Sequence, residues 1–305
     1  MGRKPRKGRR VDGIVLLDKP VSLGSNQVLQ RVKRLFKARK AGHTGSLDKL
    51  ASGLLPICLG EATKFSTFLL NADKRYQAVF QLGATTTTGD AEGEVTESKS
   101  FEPFARAELE AVVARFTGEI DQIPPMHSAI KHKGQRLYKL AHRGLEVERE
   151  PRRITIHSLE LCDFGEDFIA VEVLCSKGTY IRTLAEDMGK ALGCGAHVKA
   201  LRRIAAGPFD ASQMVGLARL EQLADEGLDA LDSVLVPMEA ALAEWPEVRL
   251  PENAAFYLKK GQPVLVPKSP TQGWVRLYAS GDGFLGAGEV LDDGRIAPRR
   301  LVAVS

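Results

Sequence analysis

Cysteine is scarce in this chain of 305 residues: Cys58, Cys162, Cys175 and Cys194 form no Cys-x-x-Cys pair and show no zinc-like spacing with the six histidines. A disulfide framework and a structural metal site are thereby disfavoured, and the four read as buried structural thiols. His132, His142, His157 and His197 fit no metalloprotease pattern and read as exposed or hydrogen-bonded. Long apolar runs are missing too. None approaches the roughly 20 residues of a membrane span, and the basic start MGRKPRKGRR is not followed by the apolar stretch of a secretory signal. Arg6 stands where a myristoylation signal needs Ser or Thr. A cytoplasmic protein with no membrane partner is expected.

Acidic residues are nearly absent from the front of the chain. Residues 1–40 hold 13 Lys/Arg against 2 Asp/Glu, out of 43 and 38 overall. Six of the first ten residues are basic, which suits an arm over residues 1–10 that attracts a polyanion by releasing its counterions, or one that merely solubilises.

The rest reads as a mixed α and β body. Val11–Leu17 is a strand entering the turn Asp18-Lys19-Pro20, and Ser25 opens a helix whose Val28, Leu29, Val32, Leu35 and Phe36 recur at helical spacing. A strand from Arg75, a polar turn into another, a short helix over 106–116 and strands near 153–161 and 168–175 follow. Short turns between strands favour antiparallel pairing. Residues near 124–152, rich in Pro, Lys, Arg and His, read as an insertion. Residues 211–245 read as helical, and Pro246 with Pro251 marks a boundary. Beyond it PVLVP, WVRLYAS, FLGAGEVL and IAPRRLVAV are short strand candidates of a small β-rich module.

Chemistry concentrates at two places. Asp48 is the only acidic side chain of AGHTGSLDKLASG, beside His43, Thr44 and Ser46; glycines 42, 45 and 53 let such a loop approach a ligand closely. An Asx turn or helix cap would use the same aspartate. In LCSKGTYIRTLAEDMG the pattern changes from strand to helix. If residues 180–182 are extended, Tyr180 and Arg182 share a face. A guanidinium there could orient a carboxylate and keep it ionised. Tyr76, behind Lys74 and Arg75, suits stacking on a base with its phosphates held nearby.

Together these stretches resemble a known family. DKPVSLGSN, GHTGSLDKLASGLLPICLGEATK, DKRYQAVFQLGATTTTGDAEG, PPMHSAIK and CSKGTYIRTLAEDMG occur in the order found in the bacterial TruB family of tRNA pseudouridine-55 synthases, over about residues 11–210. A weaker C-terminal match resembles a PUA module. The resemblance implies an α+β pseudouridine synthase fold: a central mixed, largely antiparallel sheet flanked by helices over residues 11–246, and a PUA-like RNA-binding domain over 247–305. It implies isomerisation of the T-loop uridine of tRNA at position 55, on a flipped-out nucleotide, with Asp48 as nucleophile and no metal or redox cofactor. Whether the carboxylate adds to the sugar or drives glycal formation stays open.

By the same resemblance Tyr76 stacks on the base and Tyr180 is the candidate for removing its C5 proton. Arg182 pairs with Asp48, His43 supports the everted nucleotide, and Leu201 completes the apolar wall. Lys19 falls in a matched stretch as a structural or RNA-contacting residue, Lys64 as a substrate-binding one, and Lys131, Lys133, Arg136 and Lys139 of the insertion as phosphate contacts. Two positions depart from the family pattern. Lys49 replaces the proline after the aspartate and His127 a tyrosine, so Asp48 lacks the backbone restriction a following proline imposes. A partner is expected in tRNA, through its T arm, and no protein is obligatory. Competing readings are an RNA-guided H/ACA-type synthase, which works inside a larger particle, and a mainly noncatalytic tRNA-folding chaperone.

Overall fold

The computed structural model describes residues 8–303 apart from residues 142 and 282. Most of the expected basic arm, residues 1–7, and His142 therefore lie outside the described residues. Of the rest of the arm, Arg9 docks on the body. Its guanidinium pairs with Asp232 and donates to the Phe36 carbonyl at 2.8 Å.

Strand β1 (Gly13–Lys19) is a nearly unbroken apolar run because both its faces are covered. Helix α1 (Ser25–Leu35) buries Val28, Leu29 and Val32 on one stripe, and the Gln27 side chain accepts from the Gly24 N–H to close its first turn. Strands β2 (Ala41–His43) and β3 (Ser52–Leu59) bracket the glycine-rich loop. Helix α2 (Ser66–Asn71), β4 (Lys74–Leu82) and the hairpin β5 (Ala84–Thr86) and β6 (Val95–Ser98) come next. Helix α3 (Arg106–Arg115) and β7 (Gly118–Gln122) lead into the insertion, a hairpin of β8 (Lys131–His132) and β9 (Gln135–Arg136) followed by α4 (Leu137–Ala141). The chain returns through β10 (Arg152–Phe164), β11 (Phe168–Cys175), α5 (Ile181–Leu192), β12 (Ala196–Ala206), β13 (Phe209–Asp210), β14 (Val215–Gly216), α6 (Leu217–Glu226) and α7 (Leu228–Asp232).

Ten strands among the described residues make one sheet, in the order β14-β1-β3-β12-β4-β11-β10-β7, with β2 on β3 and β13 on β12. Only β1–β14 and β3–β12 are parallel pairs, so the sheet is mixed and largely antiparallel, as expected. Its two halves have separate cores. Leu109, Val113, Leu184 and Met188 pack on the β4–β11–β10 half, while Val28, Val32 and Leu220 pack on the β1–β3 half. Tyr76 and Leu201 touch both clusters, which places them at the seam.

Several elements differ from the sequence reading. Strand β12 escaped it because bulges at Val198/Ala200 and Arg203/Ala205 break the two-residue alternation. Residues 211–245 are not one helical stretch: a 3-10 turn and β14 precede α6 and α7, and a second 3-10 turn covers Met238–Leu242. Cys58, Cys175 and Cys194 are buried, but Cys162 is exposed on the outer part of β10.

A second sheet comprises β15 (Glu247–Leu250), β16 (Gly273–Ala279), β17 (Phe284–Val290) and β18 (Ile296–Leu301), with α8 (Glu252–Lys259) between its first two strands. PVLVP is not a full strand; flanked by two prolines that cannot donate, it makes only the Val264–Ile296 bridge. The two bodies share an aromatic contact. Phe68 lies edge-on to Trp245 and Trp274, with ring centroids 4.7 and 5.2 Å away, and such pairs contribute about 0.5–1.5 kcal/mol each beyond area burial.

Candidate active site

The loop between β2 and β3 is fixed on both sides of Asp48. Before it, Ser25 Oγ donates to the Leu47 carbonyl at 2.8 Å and accepts from the Leu47 N–H at 2.7 Å. After it, the Lys49 carbonyl accepts from the Ser22 N–H at 2.8 Å. Lys19 is fully buried, and its Nζ donates to the Pro20 and Leu23 carbonyls at 2.8 and 2.6 Å. That makes Lys19 a brace beneath the loop rather than an RNA contact. Burial lowers its pKa to about 8, against the pull of Asp48. Gly53 is required where it stands: at φ +97°, a Cβ there would lie 2.2 Å from the Arg203 carbonyl of the adjoining β12.

Asp48 projects into a cavity of about 420 Å³ whose walls include His43, Tyr76, His127, Tyr180, Arg182, Leu201 and Arg203. Its side chain keeps 47% of its surface open, and its Oδ2 lies 3.0 Å from Nε of Arg182, which is only 7% exposed. The guanidinium is held from behind. Its two terminal nitrogens donate to the Thr88 and His127 carbonyls at 2.9 and 2.8 Å, and Asp90 Oδ2 lies 3.9 Å from Nε. Burial raises the Asp48 pKa above its ordinary value while Arg182 pulls it back and Asp90 pushes it up again. Burial therefore disfavours the charged carboxylate, and Arg182 partly offsets that cost.

Tyr180 and Arg182 line the same cavity, but not because the segment is extended. The helix begins at Ile181, so Tyr180 is its N-cap and Arg182 lies in its first turn. Gln122, buried at the end of β7, fixes the cap: its side chain accepts from the Tyr180 N–H at 2.8 Å and donates to the Tyr180 carbonyl at 3.0 Å. Burial raises the pKa of the Tyr180 phenol and also that of Tyr76.

Of the expected site residues, Asp48, Tyr180, Arg182, His43, Tyr76 and Leu201 meet in one cavity. Lys131, Lys133 and Arg136 do not; they are exposed on the β8–β9 hairpin, which is tied to the cavity wall where the Tyr138 N–H donates to the Ser128 carbonyl at 3.0 Å. Lys139 lies in α4, next to that hairpin. Lys64 stands apart as well. Its Nζ bridges Glu61 and the Leu301 carbonyl, at 2.5 and 2.7 Å, tying the second body to the first.

Three residues were missed: Asp90, Gln122 and Arg203; Lys74, expected beside the phosphates of a stacked base, is buried. Lys74 and Arg203 line the cavity as buried cations, Lys74 giving its ammonium to the Leu69, Leu70 and Ala72 carbonyls at the end of α2. Burial lowers the Lys74 pKa to about 8. An Arg-Arg pair in ALRRIAA was the one available signal for Arg203, and nothing in it tells which arginine turns inward. No group of three or more His, Cys, Asp or Glu residues suited to a metal ion lies among the described residues, and no described helix is long and apolar enough to cross a membrane.

Comparison with known proteins agrees with this geometry. The N-terminal domain model of the TruB family pseudouridylate synthases matches residues 33–181, the tRNA pseudouridylate synthase B C-terminal domain matches 182–243, and a pseudouridine synthase II TruB C-terminal model matches 246–302. The chain is 57% identical to tRNA pseudouridine synthase B of Nitrosococcus oceani, covering 97% of this chain and 96% of that one. It is 55% identical to the Stutzerimonas stutzeri protein of the same name over 99% of both. Among solved structures, a chain of a Cbf5-Nop10-Gar1 complex superposes with a TM-score of 0.73 at 26% identity, covering 96% of this chain and 84% of that one. With its motifs in order, its cavity assembled at the seam of the sheet and full-length relatives above half identity, the chain belongs to the TruB family of pseudouridylate synthases and has the pseudouridine synthase fold.

Proposed function

We propose that this protein isomerises a uridine of tRNA to pseudouridine, acting on the T-loop uridine at position 55 with Asp48 as the nucleophile. The observation that carries the reading is the Asp48–Arg182 pair at 3.0 Å, opening on a cavity that Tyr76 and Tyr180 also line. A nucleotide flipped out of its loop fits such a pocket, where an aromatic ring can stack on the base.

The chemistry requires the C1′–N1 bond to break with its electron pair on the base. The ring then turns and C5 bonds to C1′, the C5 proton leaves, and N1 gains a proton, so atoms and charge balance. Asp48 acts ionised, either adding to C1′ or assisting loss of a sugar proton. Gln122 holds the Tyr180 backbone, and the Tyr180 phenol on the cavity wall is the candidate to take the C5 proton while passing its own hydroxyl proton on, so that it stays neutral. His43 would support the everted nucleotide and Leu201 the apolar side of the base.

The exposed Lys131, Lys133 and Arg136, with Lys139, would hold phosphates of the T arm. We take residues 11–246 as the catalytic unit, 247–305 as an RNA-binding unit, and a tRNA-containing cytoplasm as the setting. The solved neighbour at 26% identity belongs to a Cbf5-Nop10-Gar1 complex, whereas relatives at 55–57% identity bear a tRNA-directed name, which favours the tRNA reading over the RNA-guided one.

The test is single-nucleotide pseudouridine mapping of an unmodified tRNA incubated with the protein alone, beside Asp48→Asn. Conversion at position 55 that vanishes in the variant is expected. Tight binding without conversion would favour the chaperone or guided readings.

A further inference from the structure

Among the described residues Arg203 is the largest fully buried side chain, 1% exposed, and it lines the same cavity as Asp48. Its Nε donates to the Leu54 carbonyl at 2.7 Å and one terminal nitrogen to the Gly45 carbonyl at 3.2 Å. Both acceptors are neutral. No carboxylate lies within 4.0 Å of it among the described residues, whereas Arg182 across the cavity has Asp48 and Asp90. Removing a guanidinium from water without an anion is costly, so a buried cation of this kind persists where something else uses its charge.

The neighbours sharpen the point. Arg203 pairs directly with Tyr76 across β12 and β4, and Lys74 stands on the same strand as Tyr76. The Arg203 charge lowers the pKa values of His43 and Lys74, after burial, and opposes the burial-driven rise at Tyr76. One wall of the cavity therefore pairs anions with Arg182, and the wall beside the stacking tyrosine presents positive charge with no anion of its own.

The proposed reaction generates that anion. When the C1′–N1 bond breaks, its electron pair leaves on uracil, whose charge spreads over N1, O2 and O4. Resting on the function proposed above, we infer that Arg203 is the residue whose fixed charge stabilises the departing uracil anion until C5 rejoins the sugar. A buried dipole or charge that needs no reorganisation is effective at such a moment because the surrounding dielectric is low. The role is the same whether Asp48 adds to the sugar or a glycal forms, since both routes leave the pair on the base.

The test compares the parent with Arg203→Met, which keeps the side chain's bulk and removes its charge, and Arg203→Lys, which keeps the charge. Each is mixed in saturating excess with a tRNA carrying uridine or 5-fluorouridine at the target. Single-turnover cleavage of the C1′–N1 bond is read from the altered chromatographic mobility of that nucleotide. The 5-fluoro base is the more acidic leaving group and needs less stabilisation. Arg203→Met is expected to be slowed about 100-fold on uridine, with the deficit about tenfold smaller on 5-fluorouridine and Arg203→Lys close to the parent. Equal deficits on the two bases, or a Lys variant as slow as the Met variant, would overturn the inference and leave Arg203 a structural brace. Circular dichroism checks the fold. If the Met variant fails to fold, the Lys variant decides: activity within threefold of the parent on both bases supports the role, and a loss of equal size on both refutes it. A parent that converts neither base would instead defeat the function proposed above.

Discussion

Ser25 and Leu47 exchange two hydrogen bonds, at 2.8 and 2.7 Å, one residue before Asp48. The first residue of α1 is thereby a clamp on the Asp48 loop. Replacing Ser25 by Ala leaves a buried N–H and a buried carbonyl without this partner, a cost of about 1–3 kcal/mol. Chemical denaturation should register that loss, and single-turnover rates should fall more than tRNA affinity does. Unaltered rates would show that the loop keeps its place through Ser22 and Lys19 alone.

The pair formed by Asp48 and Arg182 sets a pH dependence. Burial raises the Asp48 pKa and Arg182 lowers it, with the net direction upward, so activity that needs the carboxylate is lost as pH falls through a value above the ordinary carboxyl range. Arg182→Met removes the counterbalance. Its acid limb should move to higher pH, beyond a loss of rate at every pH. Coincident limbs in the two rate profiles would contradict the assignment.

Stability should respond to Asp48 in the opposite sense to activity. With its folded-state pKa raised, the native state binds the proton more tightly than the unfolded chain, so stability falls as pH rises through that window. Once ionised, the group carries a desolvation cost that Asn would not. Arg182 keeps the Thr88 and His127 carbonyls. Asp48→Asn is therefore expected to abolish turnover while its urea midpoint at pH 7 stays equal to or above the parent's. A markedly lower midpoint would mean that the carboxylate is a structural keystone.

Lys49 occupies the position after Asp48 with its carbonyl anchored and its N–H unused among the described residues. A proline there sacrifices no hydrogen bond and restricts Asp48 to extended backbone. Lys49→Pro should turn over faster than the parent by a few fold, measured with excess enzyme on the same tRNA. A variant no faster than the parent would remove the argument that looser geometry limits this chain.

The β8–β9 hairpin carries its cations outside the cavity. Replacing Lys131, Lys133 and Arg136 together by Ala should weaken tRNA binding and reduce the slope of log K against log salt by about 2, while the rate at saturation is preserved. A steep, unchanged slope would relocate phosphate binding elsewhere, with the basic residues of 1–10 as the next to delete.

What could be read from sequence divides by distance along the chain. The α1 stripe, the β4 and β11 alternation and the glycine-rich loop around Asp48 are local patterns. Convergence of Asp48, Tyr76, Tyr180 and Arg182 was legible through the ordered motifs, although the stated reason for pairing Tyr180 with Arg182 failed because the helix starts between them. Arg203 was not legible, because its acceptors lie 149 and 158 residues earlier and the bulges of β12 erase the alternation that would have shown it turning inward. Gln122 likewise acts 58 residues away. The tie from Lys64 to the Leu301 carbonyl was out of reach for the same reason, since its partner lies 237 residues later.

Strand β12 lies between β3 and β4, which are near neighbours in the chain but not in the sheet. During synthesis β3 and β4 emerge together, yet the slot between them must stay open until residues 196–206 have left the ribosome. Pairing them with each other would be the quicker contact and the wrong one, since loop closure over so many residues is slow. A nascent chain thus carries two open strand edges from residue 82 until residue 206 has emerged, and is exposed to chaperones and aggregation in that interval. The last strand of the body to enter the middle of the sheet also brings Leu201 and Arg203, so the pocket has no floor until the slot is filled. No shortened product ending before β12 would compete with the finished enzyme for its RNA site.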